Sequence, residues 1–215
     1  MQIKGAIFDM DGTLLDSMFI WDTMGSRYLQ KHHLVPEEGL DEKFKVFTLE
    51  EGAEYFRQNY SITDSVETIV AEVNEMTESA YRYEVQPLEG VAQVLQQLKE
   101  QGVKMCVATV TDEYLAEIAL EQTGLRQYFD GIFTCAQVGA SKHHPDIYEK
   151  ALEFLGTNRQ ETFVFEDAFY AICTAKQAGF PTVGIYGESY KNRWDELKQI
   201  SDYTLISYKD WERLV

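Results

Sequence analysis

The sequence predicts an α/β protein: a Rossmann-like, doubly wound parallel sheet interrupted by an all-helical insert. An apolar run, Ile3 to Phe8, reads as a buried first strand. From about Ser17 to Gln86 no convincing strand follows. From Pro87 onward β-prone runs alternate with amphipathic helices, the pattern of a parallel sheet covered on both faces. At 215 residues the chain is long for one domain and short for two. It fits a core formed by 1–16 and 87–215 with a helical insert at 17–86.

The insert opens with Phe19, Ile20, Trp21, Met24, Tyr28 and Leu29 at helical spacing. Val35-Pro36-Glu37-Glu38-Gly39 breaks that helix, and 40–60 hold one or two short ones. Asp64-Ser65-Val66-Glu67 reads as a capping box opening a long helix. Val66, Ile69, Val70, Val73, Met76, Ala80 and Tyr81 lie along one face of it. In the core, Val91 to Leu98 is a helix stopping near Gly102, and Val103 to Ala108 is a strand ending at Thr109. A helix spans about 112–123, a strand 131–134, and a helix Pro145 to Leu155, with the proline in its first turn. Thr162 to Phe165 is a strand ending at Glu166-Asp167, followed by a helix from about Phe169 to Ala178. Pro181 to Tyr186 and Tyr203 to Ile206 are the last strands.

Composition narrows the function. Hydrophobic residues make up 45%, enough for a sizeable core. The net charge of −17 argues against nucleic acid or an anionic membrane as partner, since both need a basic surface. It would also repel a phosphorylated substrate, so any phosphate site must be made locally positive. Cys106, Cys135 and Cys173 read as buried free thiols of a reducing cytoplasm. No signal peptide is expected, and no run approaches a membrane span. His32-His33 and His143-His144 read as solvated pairs.

The chemistry concentrates at Asp9-Met10-Asp11-Gly12-Thr13-Leu14-Leu15-Asp16-Ser17, where the first strand runs into acid. Asp9 and Asp11, two apart, project the same way on a strand and converge if the chain bends at Gly12. Converging carboxylates repel unless a cation or a shared proton lies between them. Hard oxygen ligands of this kind suit Mg²⁺. Ligands of open α/β sheets bind at the carboxyl ends of the strands. There the chain also places Thr109, then Lys142 in the loop after the 131–134 strand, then Glu166 and Asp167. Read singly, these are a strand-end hydroxyl, a solvated lysine and a helix N-cap region.

In this order, acid pair, hydroxyl, lysine, acid pair, the set resembles the four motifs of the haloacid dehalogenase-like superfamily, most of whose members are phosphatases. The string D-x-D-G-T-L-L-D-S is similar to the first motif. Lys142-His143-His144-Pro145-Asp146-Ile147-Tyr148 is similar to the third, and Val164-Phe165-Glu166-Asp167 to the fourth. The resemblance covers nearly the whole chain and implies a Mg²⁺-dependent phosphatase of small phosphorylated metabolites. Asp9 would be the nucleophile that forms an aspartyl-phosphate. Asp11 would be the general acid and base, and its backbone carbonyl would also ligate the metal. Thr109, with Val110 beside it, would bind the phosphate, and Lys142 would supply fixed positive charge. Asp9, Asp11, Glu166 and Asp167 would hold Mg²⁺. The insert would be a helical C1 cap that closes over the site and chooses the substrate, with Lys45, Phe47 and Glu50 near that substrate. A monomer or weak homodimer is expected.

The chain departs from the family at His143, where proline is usual. It also departs from the family's sugar-phosphate mutases. They carry a histidine in the hinge, where Trp21 stands here, and a cap arginine with no clear counterpart near Lys45. A phospho-accepting receiver domain shares the acid pair, hydroxyl and lysine, but has its acceptor on a later strand and no helical insert. A non-catalytic binding protein would not need every motif residue.

Overall fold

A computed structural model describes residues 3–44 and 47–213. The chain divides into two compact units, one of residues up to Asp16 together with those from Val85 onward, the other Ser17–Glu84. In chain order the elements are β1 (Gly5–Phe8), β2 (Leu15–Asp16), α1 (Met18–Asp22), α2 (Met24–Lys31), α3 (Leu40–Phe44), α4 (Leu49–Asn59), α5 (Val66–Tyr83), β3 (Gln86–Pro87), α6 (Val91–Glu100), β4 (Lys104–Thr109) and α7 (Glu113–Gln122). They continue with β5 (Gly131–Thr134), α8 (Cys135–Val138), α9 (Asp146–Leu155), β6 (Thr162–Glu166), α10 (Phe169–Gln177), β7 (Thr182–Ile185), α11 (Trp194–Ile200) and β8 (Tyr203–Leu205).

The six-stranded sheet has the order β5-β4-β1-β6-β7-β8, and every pairing in it is parallel. β1, β6 and β7 are buried at every residue, as strands covered on both faces must be. Beneath α9 and α10 the sheet packs Ile7, Ala108, Ile147, Tyr148 and Val164 into one apolar cluster. Phe8 stacks on Phe165 at 4.2 Å across the β1–β6 pair. The chain winds outward from β1 through β4 to β5, then crosses back and winds the other way from β6. Winding therefore reverses beside β1, and the carboxyl ends of β4, β1 and β6 meet at the reversal, where a parallel sheet leaves a crevice.

The helical unit has its own core of Tyr28, Leu29, Leu40, Ala53, Phe56, Ile69 and Val73. Tyr28 stacks on Phe56 at 4.7 Å. Gly25 and Gly52 admit Phe44: a Cβ on Gly52 would meet its ring at 2.9 Å. No helix of the described residues is long and apolar enough to cross a membrane.

Several local expectations are corrected. The first helix of the insert is two helices, broken at Thr23, whose backbone leaves the helical region and whose hydroxyl donates to the Phe19 carbonyl at 2.6 Å. The second ends at His32-His33, before the expected Val35–Gly39 break, with His33 at φ 58°. Asp64-Ser65-Val66-Glu67 is not a capping box. Ser65 is the N-cap, accepting from the Thr68 amide at 3.2 Å, so the third helical position holds a threonine. Capping boxes form instead at Thr48–Glu51 and Thr134–Gln137. Pro145 is the N-cap of α9, one residue before its first turn. Gln86 pairs with Asp16 and Pro87 with Leu15 in a short antiparallel ladder, so the sheet unit resumes at Val85. Cys173 is half-buried, unlike Cys106 and Cys135. His32 is no solvated residue: its Nε2 lies 2.9 Å from Glu72, which also accepts from the Tyr28 hydroxyl at 3.0 Å.

Candidate active site

β1 continues for one residue through the Asp9 amide, which donates to the Phe165 carbonyl at 2.9 Å. The chain then turns sharply. The amides of Leu14 and Leu15 donate to the Met10 carbonyl at 2.9 and 3.0 Å, and Gly12 takes φ 79°, a conformation that favours glycine. Asp9 therefore stays at the strand end, 6% exposed, while Asp11 is carried round the turn.

Lys142 reaches this point from the loop after α8. Its Nζ donates to Asp9 Oδ1 and to Glu166 Oε1, each at 2.5 Å, and the side chain is almost wholly buried. Glu166, the last residue of β6, is fixed further: its Oε2 accepts from the amides of Asp167 and Ala168 at 3.1 and 3.2 Å. The Tyr148 hydroxyl, from α9, lies 3.5 Å from its Oε1. Asp167 Oδ1 faces the Thr13 hydroxyl at 3.5 Å. A Cβ on Gly187 would lie 3.2 Å from Asp167 Oδ2, so glycine lets that loop approach the carboxylate.

Carboxylate oxygens of Asp9, Glu166 and Asp167 lie within 4.8 Å of one another, all three residues buried. Three acids face one ammonium, and all four side chains are buried. Burial would lower the Lys142 pKa, but the Asp9 and Glu166 charges outweigh it and hold the ammonium well above its ordinary value. Burial, and then the Asp9 charge, push Glu166 up to about 7 against the pull of Lys142. Asp167 is raised well above the usual carboxylate range by burial and by its acidic neighbours. Asp167 Oδ2 is buried with no hydrogen-bond partner among the described residues. An unpartnered oxygen, hard donors and an excess of negative charge fit a divalent cation bound among these three side chains.

The Asp11 carboxylate is not in this cluster. It turns toward β4, where the Thr111 hydroxyl donates to its Oδ2 at 2.7 Å. The two acids of the first motif thus separate, contrary to the expectation that they converge on one point. Thr109 ends β4 buried, and its Oγ1 accepts from the Thr111 amide at 3.0 Å, so the hydroxyl proton can be donated outward. Val110 is exposed, at 58%. His143 stacks on Tyr170 at 4.5 Å, which gives the lysine loop an aromatic support at the position where proline was expected. Phe47 and Glu50 belong to the helical unit, Phe47 against Phe44 and Tyr55 and Glu50 exposed in the first turn of α4. Lys45 lies outside the described residues.

Sequence reasoning missed Thr13, Thr111, Tyr148 and Gly187. Thr13 and Tyr148 stand inside the quoted motifs, and that was the only available signal. Thr111 and Gly187 carry none.

The model of a family described as haloacid dehalogenase-like hydrolases matches residues 6–185. A phosphorylated carbohydrates phosphatase of Thermotoga maritima is 29% identical over 185 residues, 86% of this chain and 85% of that protein. Pyrophosphatase PpaX of Halalkalibacterium halodurans is 29% identical over 222 residues, 98% and 95% of the two. A solved structure from Thermotoga maritima, described provisionally as a beta-phosphoglucomutase, has a TM-score of 0.84 at 25% identity and covers 99% of this chain and 98% of that one.

Proposed function

We propose that this chain, an enzyme that belongs to the haloacid dehalogenase-like hydrolase family, is a Mg²⁺-dependent phosphatase of small phosphomonoesters that works through an aspartyl-phosphate on Asp9. The observation that carries the reading is the buried meeting of Asp9, Lys142, Glu166 and Asp167 at the carboxyl ends of β1 and β6. Phosphoryl transfer needs an in-line nucleophile, positive charge on the equatorial oxygens and a proton for the leaving group. Asp9 is the nucleophile, and Lys142 fixes its carboxylate through Oδ1. Thr109, with Val110 beside it, binds the phosphoryl oxygens, and Lys142 adds fixed charge there. Asp11 protonates the leaving oxygen, then takes a proton from the attacking water. Bound by Asp9, Glu166 and Asp167 with the Asp11 carbonyl, Mg²⁺ would neutralise phosphoryl charge and align the phosphorus. Lys142 and the metal would thus make the site locally positive in a chain of net charge −17.

A sugar phosphate is the favoured substrate, in keeping with the name of the Thermotoga phosphatase, and pyrophosphate is the competitor suggested by PpaX. The name of the structural neighbour favours a mutase as second reading. Trp21 at the hinge, where the mutases carry histidine, stands against it. The test is phosphate release from sugar, polyol and nucleoside monophosphates, phosphoglycolate and pyrophosphate, with and without Mg²⁺, for the wild type and Asp9→Asn. Mg²⁺-dependent release that vanishes in the variant supports the reading, and the ranking names the substrate. Isomerisation of a sugar monophosphate without release would establish the mutase instead.

A further inference from the structure

Thr111 stands outside the acids, hydroxyl and lysine that the motifs single out, yet it touches two of them. Its amide donates to Thr109 Oγ1 at 3.0 Å, and its hydroxyl donates to Asp11 Oδ2 at 2.7 Å. Thr111 is 6% exposed, so the donor end of the bond to Asp11 is shielded from water. The parallel register sets Phe8 beside Val107, so the segments that follow β1 and β4 leave the sheet side by side. A general acid must sit within hydrogen-bond reach of one oxygen, and a buried hydroxyl bonded to a carboxylate on a turn narrows the rotamers it can take.

We propose that Thr111 is a positioning residue: its hydroxyl aims the Asp11 carboxyl at the leaving oxygen, while its amide sets the Thr109 hydroxyl toward the phosphate. The inference rests on the reading of Asp11 as general acid and base. In the first step an Asp9 oxygen bonds to phosphorus and the phosphorus–oxygen ester bond breaks. The electron pair goes to the leaving oxygen, which takes the Asp11 proton and departs as an alcohol. In the second step water attacks phosphorus and gives a proton to Asp11, and the Asp9 carboxylate is released.

The two contacts can be separated. Thr111→Val keeps the shape and the amide bond to Thr109 and removes only the hydroxyl. Thr111→Ser restores the hydroxyl. The substrates are p-nitrophenyl phosphate, whose leaving group needs little protonation, and the best aliphatic monoester of the wild type. General acid catalysis contributes roughly 10²–10⁴-fold, so displacing the acid should cost the aliphatic ester at least about tenfold in kcat/KM and the aryl ester less than about threefold. Inhibition by inorganic phosphate, which reads the Thr109 side, should be unchanged, and Thr111→Ser should recover the aliphatic rate. Equal losses on both esters, or none on either, would overturn the positioning role. Thr111→Ala, judged by the same ratio, serves if Thr111→Val does not fold. Asp11→Asn separates the two levels. If it keeps the aliphatic activity, the general-acid reading falls and takes the positioning role with it. If it loses that activity while Thr111→Val keeps it, only the positioning role falls.

Discussion

Lys142 is a buried ammonium bonded to two buried carboxylates, 2.5 Å from each. Removing one partner of a buried ion pair leaves the other charge stranded, at a cost of about 3–5 kcal/mol. Lys142→Met should therefore destabilise the metal-free protein by about that much, read from the urea midpoint; a change below about 1 kcal/mol would mean that the pair is solvated. The acids carry a second consequence. Glu166 is raised from an ordinary 4.5 to about 7. A carboxyl raised on folding favours the folded state while protonated, so its contribution is whole below about 4.5 and is lost as pH rises through about 7. At most this amounts to about 3 kcal/mol. A divalent cation bound there would substitute for the missing proton, so the rise in Tm on adding Mg²⁺ should be larger near pH 8 than near pH 5. An equal rise at both would contradict binding at these carboxylates. Asp9, Lys142, Glu166 and Asp167 stood out in the sequence because charge at the end of an apolar strand, or inside a motif, is hard to explain otherwise. Thr111 did not, because its partner Asp11 lies 100 residues away and a threonine after a strand has many ordinary uses.

At the scale of elements, β7 and α11 meet without a gap. A Cβ on Gly184 would sit 2.0 Å from Leu197 Cδ2 and 2.7 Å from Ser201 Oγ. Overpacking of this kind costs about 1–3 kcal/mol, so Gly184→Ala should lower the denaturation midpoint accordingly, and an unchanged midpoint would show that α11 can shift freely. The strands β1, β6 and β7 were legible because each is a short, largely apolar run bounded by turns, and burial at every residue demands that composition. The helical unit was legible in kind and less so in its boundaries. Ser65 and Asp64 are both good N-caps, and only the contact with the Thr68 amide decides between them. The break at Thr23 depends on its hydroxyl reaching back to the Phe19 carbonyl, which apolar spacing does not report. The Leu15–Pro87 ladder joins residues separated by the whole insert, so neither strand had a local signal.

The whole molecule carries 36 acidic and 19 basic residues, a net charge of −17. Its field would oppose a phosphorylated substrate beyond the reach of Lys142, and salt screens that field over about 10 Å at 0.1 M. At saturating Mg²⁺, kcat/KM for a phosphomonoester should rise roughly twofold or more as ionic strength increases over the low-salt range. A fall would mean that the site's own positive field dominates the approach. The covalent step proposed at Asp9 leaves a product that can be trapped. Asp11→Asn with p-nitrophenyl phosphate and Mg²⁺, quenched in acid, should accumulate a phosphoryl group, because an aryl ester still loads the enzyme while water is no longer activated. Peptide mass mapping should place that group on Asp9. Phosphate release by the wild type with no phosphoryl-enzyme in the variant, or with the label on another residue, would contradict the account.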